Sequence, residues 1–196
     1  MKKIISNSSP LMYLAKIKRL DLLKRLFKEI IIPEEVYNEV VVKGKQEKFT
    51  DAFFIENALK DGWIKIKKVK KRKFERLLSE IDIGESAVIN LAKETNADLI
   101  LIDDASARTI AESIGLNVKG TLYVILLAFK NKIINKKEAK SLVDELVFSE
   151  FRISSDIYAE IINKINENKD ELTNEEAEKM KKNLSEMRKT ASRRFK

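Results

Sequence analysis

Short runs of aliphatic residues alternate along this chain with stretches in which apolar residues recur every three or four positions, and few folds accept such an order. Ile4-Ile5, Ile30-Ile31-Ile32 and Leu99-Ile100-Leu101-Ile102 are too short for helices, and each is closed by a polar cluster or a proline. Between the first two, Leu11, Leu14, Ile17, Leu22, Leu23 and Leu26 read as an amphipathic helical pair broken near Lys18. After Pro33, Val36, Val40 and Val41 stand at helical spacing with Glu39 among them. Strands that alternate with helices in this way build a parallel sheet, because parallel neighbours need a crossover, and the crossovers cover both faces. The expected fold class is therefore α/β.

The remaining segments fit the same plan. Ser9 can cap the first helix with Pro10 in its first turn. Residues 47–60 read as a helix around Phe53, Phe54, Ala58 and Leu59, and Trp63 to Lys67 alternates like a strand near a sheet edge. From Lys65 to Lys73, seven of nine residues are Lys or Arg, which suits a phosphate-facing patch or solvated edge-strand lysines that block aggregation. A helix from about Glu85 to Thr95 turns Ala87, Val88, Leu91 and Ala92 inward, and Ala107, Ile110, Ala111 and Ile114 mark the helix after Asp103-Asp104. Asn117 to Gly120 is a last short strand, helices follow around 122–129 and 136–148, and Phe151-Arg152-Ile153 suits an added edge strand. The domain is expected to span 1–155. Residues 156–196 then form a basic helical tail, with a capping box from Thr173 to Glu176 and seven Lys or Arg against Glu186 alone from Met180 onward.

Composition narrows the chemistry. Apolar residues make up 44% of the chain and charged ones 36%, a globular mixture, and the net charge of +8 favours polyanionic partners. The absence of Cys excludes disulfides, zinc ribbons and thiol nucleophiles, while the absence of His removes the usual proton shuttle near neutral pH. The opening MKKIISNSSP holds only Ile4-Ile5 before polar residues, and no stretch approaches the roughly 20 apolar residues of a membrane span. A cytoplasmic protein without membrane contact is expected.

In an open parallel sheet, sites form at the C-terminal strand ends where the winding reverses. The first strand delivers Asn7, Ser8 and Ser9 there, and the strand at Leu99 to Ile102 delivers Asp103 and Asp104. Glu39 and Glu85 lie in neighbouring helices. Each has a plainer use: Asp103-Asp104 as a helix cap, Glu85 as a first-turn acid, Glu39 on a solvated face or in a salt bridge, Ser8 and Ser9 as caps. If they converge, carboxylates ~5 Å apart repel by roughly 3 kcal/mol at an effective dielectric of 20, and a cation relieves them. Oxygen ligands without His or Cys select Mg²⁺ or Mn²⁺ over Zn²⁺, and such ions drive phosphodiester hydrolysis without histidine. Asp103-Asp104 as a phosphoacceptor pair fits poorly, because it comes late in the chain with no lysine after a following strand.

Taken together in order, Ile4-Ile5-Ser6-Asn7-Ser8-Ser9-Pro10-Leu11, Ile32 to Val40, Asp82-Ile83-Gly84-Glu85-Ser86-Ala87, Ala97 to Asp104 and Gly115 to Leu122 resemble the PIN-domain family, and more narrowly its VapC-like prokaryotic branch. The resemblance covers nearly all of the chain up to about Tyr158. It implies a three-layer α/β/α sandwich and a Mg²⁺- or Mn²⁺-dependent ribonuclease, held silent by a cognate antitoxin and commonly a homodimer. By position Glu39 corresponds to the family's second acid, Glu85 to the third and Asp104 to the fourth, with Asp103 a near alternative. Ser9 matches a small hydroxyl residue two positions after the first acid. The first acid itself is replaced by Asn7, whose amide oxygen can ligate a metal but carries no charge. Two functions follow as expectations: an endoribonuclease using Asn7, Glu39, Glu85, Asp104 and Asp103, with Arg108 near a phosphate or simply exposed, or a catalytically weakened module that binds RNA or antitoxin.

Overall fold

The computed structural model describes residues 2–70, 78 and 80–167. Strand β1 (Ile4–Ser6) passes through Asn7 into α1 (Ser8–Lys16), and α2 (Asp21–Phe27) leads to β2 (Ile30–Pro33). Helix α3 (Glu34–Tyr37) widens into a π-helical segment (Asn38–Lys43) and closes again as α4 (Gly44–Gln46). Then come α5 (Thr50–Lys60), β3 (Ile64–Lys67), α6 (Ile83–Thr95), β4 (Leu99–Leu101), α7 (Ala105–Ser113) and β5 (Val118–Lys119). Three helices finish the described chain: α8 (Thr121–Lys130), α9 (Lys136–Phe148) and α10 (Ser155–Glu167).

The five strands are all parallel, in the order β3-β2-β1-β4-β5. The chain winds outward from β1 through β2 to β3, then crosses back to pair β4 with the other side of β1. Ile4 stands opposite Leu99, Ile5 opposite Ile100 and Ser6 opposite Leu101. The right-handed rule for parallel crossovers assigns the helices between β1 and β3 to one face and α6 and α7 to the other, and α6 packs across β1, β2 and β4. Coverage on both faces explains why the central strands are apolar throughout: Ile4, Ile5, Ile30, Ile32, Ile100 and Leu101 are all fully buried. At the edge, β3 buries Ile64 and exposes Lys65, Ile66 and Lys67. Lys65 Nζ lies 2.5 Å from Glu29 and Lys68 Nζ 3.9 Å from Glu34, so the described part of the basic run behaves as solvated edge lysines with local partners.

The structure departs from the sequence expectation at four places. Helix α1 begins at Ser8, so Asn7 and not Ser9 occupies the N-cap position. Helix α5 starts at Thr50, three residues later than residue 47. Residues 151–153 form no strand; the Phe151 ring instead packs edge-on against Tyr13, with centroids 4.8 Å apart and planes at 89°. Beyond residue 155, α10 sinks Ile157, Ile161 and Ile165 into the same core and packs on α8 and α9, while the Tyr158 hydroxyl donates to Asp144 at 2.6 Å. Residues 156–167 are thus built into the domain. The capping box at Thr173 and the basic end of the chain lie outside the described residues. Among the described residues no helix is long and apolar enough to cross a membrane.

Ile161 is fully buried, so Ile161→Ala is expected to cost about 2–5 kcal/mol in urea unfolding. A loss under ~0.5 kcal/mol, as for surface positions, would show that α10 is not part of the cooperative core.

Candidate active site

The C-terminal ends of β1 and β4 meet where the winding reverses. The Asn7 backbone N–H donates to the Leu101 carbonyl at 2.9 Å, which extends the β1–β4 ladder one residue past the strand and anchors the Asn7 backbone. An asparagine at an N-cap usually accepts from the backbone N–H two or three positions on. Here the third position is Pro10, which has no N–H, and Asn7 makes no side-chain capping bond. Its Oδ1 is left buried without a hydrogen-bond partner on a residue only 4% exposed. An unmet buried acceptor costs about 1–3 kcal/mol, and such an atom points to a ligand.

Glu39 also reaches the start of α6. It sits in the π-helical segment, a wide turn of the kind found at functional positions, and its Oε2 accepts a 2.5 Å hydrogen bond from Ser8 Oγ. Gly84 shows how the two oxygens meet. A Cβ at this position would lie 3.3 Å from Glu39 Oε2 and 3.5 Å from Asn7 Oδ1, so both face one small gap at the start of α6.

Glu85 follows at the third position of α6, where it forms a capping box with Asp82; the Asp82 amide donates to Glu85 Oε2 at 3.4 Å. The first-turn role expected of Glu85 is therefore real, yet its environment does more. Burial raises its carboxyl to about 7, helped first by the charge of Asp104 and then by Asp82 and Glu39, with the Asp82 amide acting against them. Neither Glu39 nor Glu85 pairs with a lysine or arginine among the described residues.

Asp104 also serves twice. Its Oδ1 caps α7 by accepting from the amides of Ser106 at 2.7 Å and Ala107 at 3.0 Å, while its charge acts on Glu85. Asp103 turns elsewhere: its two oxygens accept from the Thr121 amide at 2.7 Å and the Thr121 hydroxyl at 2.6 Å. This ties the end of β4 to the start of α8. The approach needs Gly120, because a Cβ there would stand 2.6 Å from Asp103 Oδ1. Burial pushes the Asp103 carboxyl up, opposed by the Thr121 bonds and by Arg108, whose Nη1 is 3.1 Å from that same Cβ position. Arg108 is accordingly turned toward Asp103 and is no free surface arginine. Ser9 is half-buried in the first turn of α1.

Sequence reading missed two members. Ser8, expected at the end of the first strand as a helix cap rather than a nucleophile, instead donates its hydroxyl to Glu39. Asp82 was passed over, although its spacing of three residues before Glu85 is the signature of a capping box.

Among the described residues no three acidic side chains stand close enough together to hold a metal. Mg²⁺, however, commonly takes only one or two carboxylates and keeps several waters. The unpaired Asn7 oxygen beside the Glu39 carboxylate, with Glu85 and Asp104 supplying further negative charge, fits that habit.

The raised carboxyl of Glu85 predicts a pH signature. The folded protein holds this proton more tightly than the unfolded chain, so stability falls as pH rises from the ordinary glutamate value toward about 7, and then levels. Without divalent ions, Glu85→Gln is expected to be more stable than the parent at pH 8 by roughly 1–3 kcal/mol, and equal to it near pH 4. Chemical denaturation at both pH values checks this. A Gln variant that is less stable at pH 8 would contradict the arrangement.

The chain was then compared with known proteins. No curated protein matches it. A family model described as PIN domain matches residues 3–167, which is nearly the whole of the described structure and includes every residue placed at the site. That agrees with the five-stranded parallel sheet flanked by helices. The chain belongs to the PIN-domain family, whose fold is of the nuclease type and whose members generally act on nucleic acids with divalent metals.

Proposed function

We propose that this PIN domain is an endoribonuclease that hydrolyses RNA phosphodiester bonds with Mg²⁺ or Mn²⁺ held by Asn7, Glu39, Glu85 and Asp104. The observation that supports it best is the buried, unpartnered Asn7 Oδ1 sharing a gap with Glu39 Oε2. A divalent ion bound there supplies an activated water and neutralises charge on the phosphate. The side chains supply the rest. Ser8 holds Glu39 in one orientation, the capping box holds Glu85, and α7 holds Asp104, so the oxygens are positioned before substrate arrives. Glu85, whose carboxyl is raised to about 7 by burial and by neighbouring acids, would be returned to its ionised form by a cation held beside it. Asp103 supports the site by fixing the end of β4, and Ser9 by its place beside Ser8. The net charge of +8 favours RNA as the polyanion. In the VapC-like reading the protein is a cytoplasmic homodimer silenced by a cognate antitoxin.

Asn7 favours a second reading, in which the fold binds RNA or antitoxin without cutting. Asparagine brings one negative charge fewer than an acid, and the acids are not drawn together.

RNA cleavage by the full chain in Mg²⁺ or Mn²⁺ separates the two. The nuclease reading predicts metal-dependent cleavage that Glu85→Gln lowers on the order of 10²-fold. It also predicts that Asn7→Asp, by adding a charge at the gap, tightens Mn²⁺ binding about tenfold and raises the rate. Equal cleavage by parent and Glu85→Gln would defeat it. Salt-dependent RNA binding with no cleavage under either metal would favour the second reading.

A further inference from the structure

We infer that Gly84 is the residue that admits the ligand to this site, and that its missing side chain is what keeps the Asn7–Glu39 gap open. Resting on the nuclease reading above, this adds a residue that ligates nothing and yet controls binding. The Cβ position of Gly84 is aimed between Glu39 Oε2 at 3.3 Å and Asn7 Oδ1 at 3.5 Å, with Val36 Cγ2 behind at 3.7 Å. Its backbone does not call for glycine, since the positive-φ glycines are Gly62 and Gly115 and Gly84 is not among them. A glycine in the first turn of a helix also lowers helix propensity relative to alanine. Space is therefore the property this position supplies.

On one wall of the gap Glu39 Oε2 is held by Ser8 Oγ, and on the other the Asn7 backbone is anchored in the sheet through the Leu101 carbonyl. The Asn7 oxygen, on a residue 4% exposed, has no other partner and faces this opening. A methyl group there would occupy the volume that an oxygen-seeking cation or its bound water needs, since direct Mg²⁺–oxygen contacts are only about 2.0–2.1 Å long.

The test is Mn²⁺ titration of the full chain, read by the loss of the free-ion paramagnetic resonance signal, for the parent and for Gly84→Ala, with circular dichroism and thermal melts on both. Gly84→Ala is expected to keep the helical spectrum and melt at the same or a higher temperature, while binding Mn²⁺ at least ~10-fold more weakly. Equal Mn²⁺ affinity in the two proteins would overturn the role of Gly84 and leave the nuclease reading standing. Absence of Mn²⁺ binding in the parent would overturn both. Loss of the fold in Gly84→Ala would also overturn the role, because the space would then serve packing and not a ligand.

Discussion

Pairing of β1 with β4 is the contact on which the rest of the molecule depends. It joins segments more than ninety positions apart in sequence, and the register of Ile4 with Leu99, Ile5 with Ile100 and Ser6 with Leu101 ends both strands at the same level. Beyond that level the backbone turns away on both sides into α1 and α7. One residue further on the ladder ends, and Asn7, Asp103 and Asp104 stand at the C-terminal edge of the sheet, where the winding reverses. Hydrophobic burial of the central strands drives this arrangement, and the polar cluster comes as its consequence.

Gathering acids at such an edge works against stability, and the structure manages the conflict by local means. Glu85 keeps its proton to about 7, Asp104 spends one oxygen on helix amides, and Asp103 is tied to Thr121. Asparagine at position 7 lightens the load further. An acid there, beside Glu39 and near Glu85, would add a repulsion worth a few kcal/mol at close range in a protein of intermediate dielectric. With an amide, the site carries one negative charge fewer and is easier to fold.

Much of this was legible in the sequence, and the reasons differ by element. The runs at Ile4, Ile30 and Leu99 announced central strands because burial on both faces removes polar residues, and the lysines alternating along β3 announced an edge. By pattern alone Asn7, Glu39, Glu85 and Asp104 were each weak candidates at strand ends or in neighbouring helices, and the resemblance to the PIN-domain family is what singled them out together. What stayed hidden was what tertiary packing decides. Pattern shows that Ser8, Ser9 and Pro10 open a helix, but only the cluster around Glu39 shows that Ser8 points inward and that Pro10 leaves the Asn7 oxygen unpaired. The apolar stripe of α10 looked like a light tail because its partners are on α8 and α9. The π-helical widening that carries Glu39 leaves no trace in residue type, since Val40 and Val41 suit an ordinary helix equally well.

The central claim is that separated side-chain oxygens gather tightly enough at the β1–β4 switch point to hold a doubly charged ion. Anomalous diffraction from crystals soaked in Mn²⁺ tests it most directly. The account predicts a peak at the gap beside Gly84, within ligand reach of Asn7 Oδ1 and Glu39. Well-ordered crystals that show no peak there, or a peak only at carboxylates elsewhere on the surface, would contradict it.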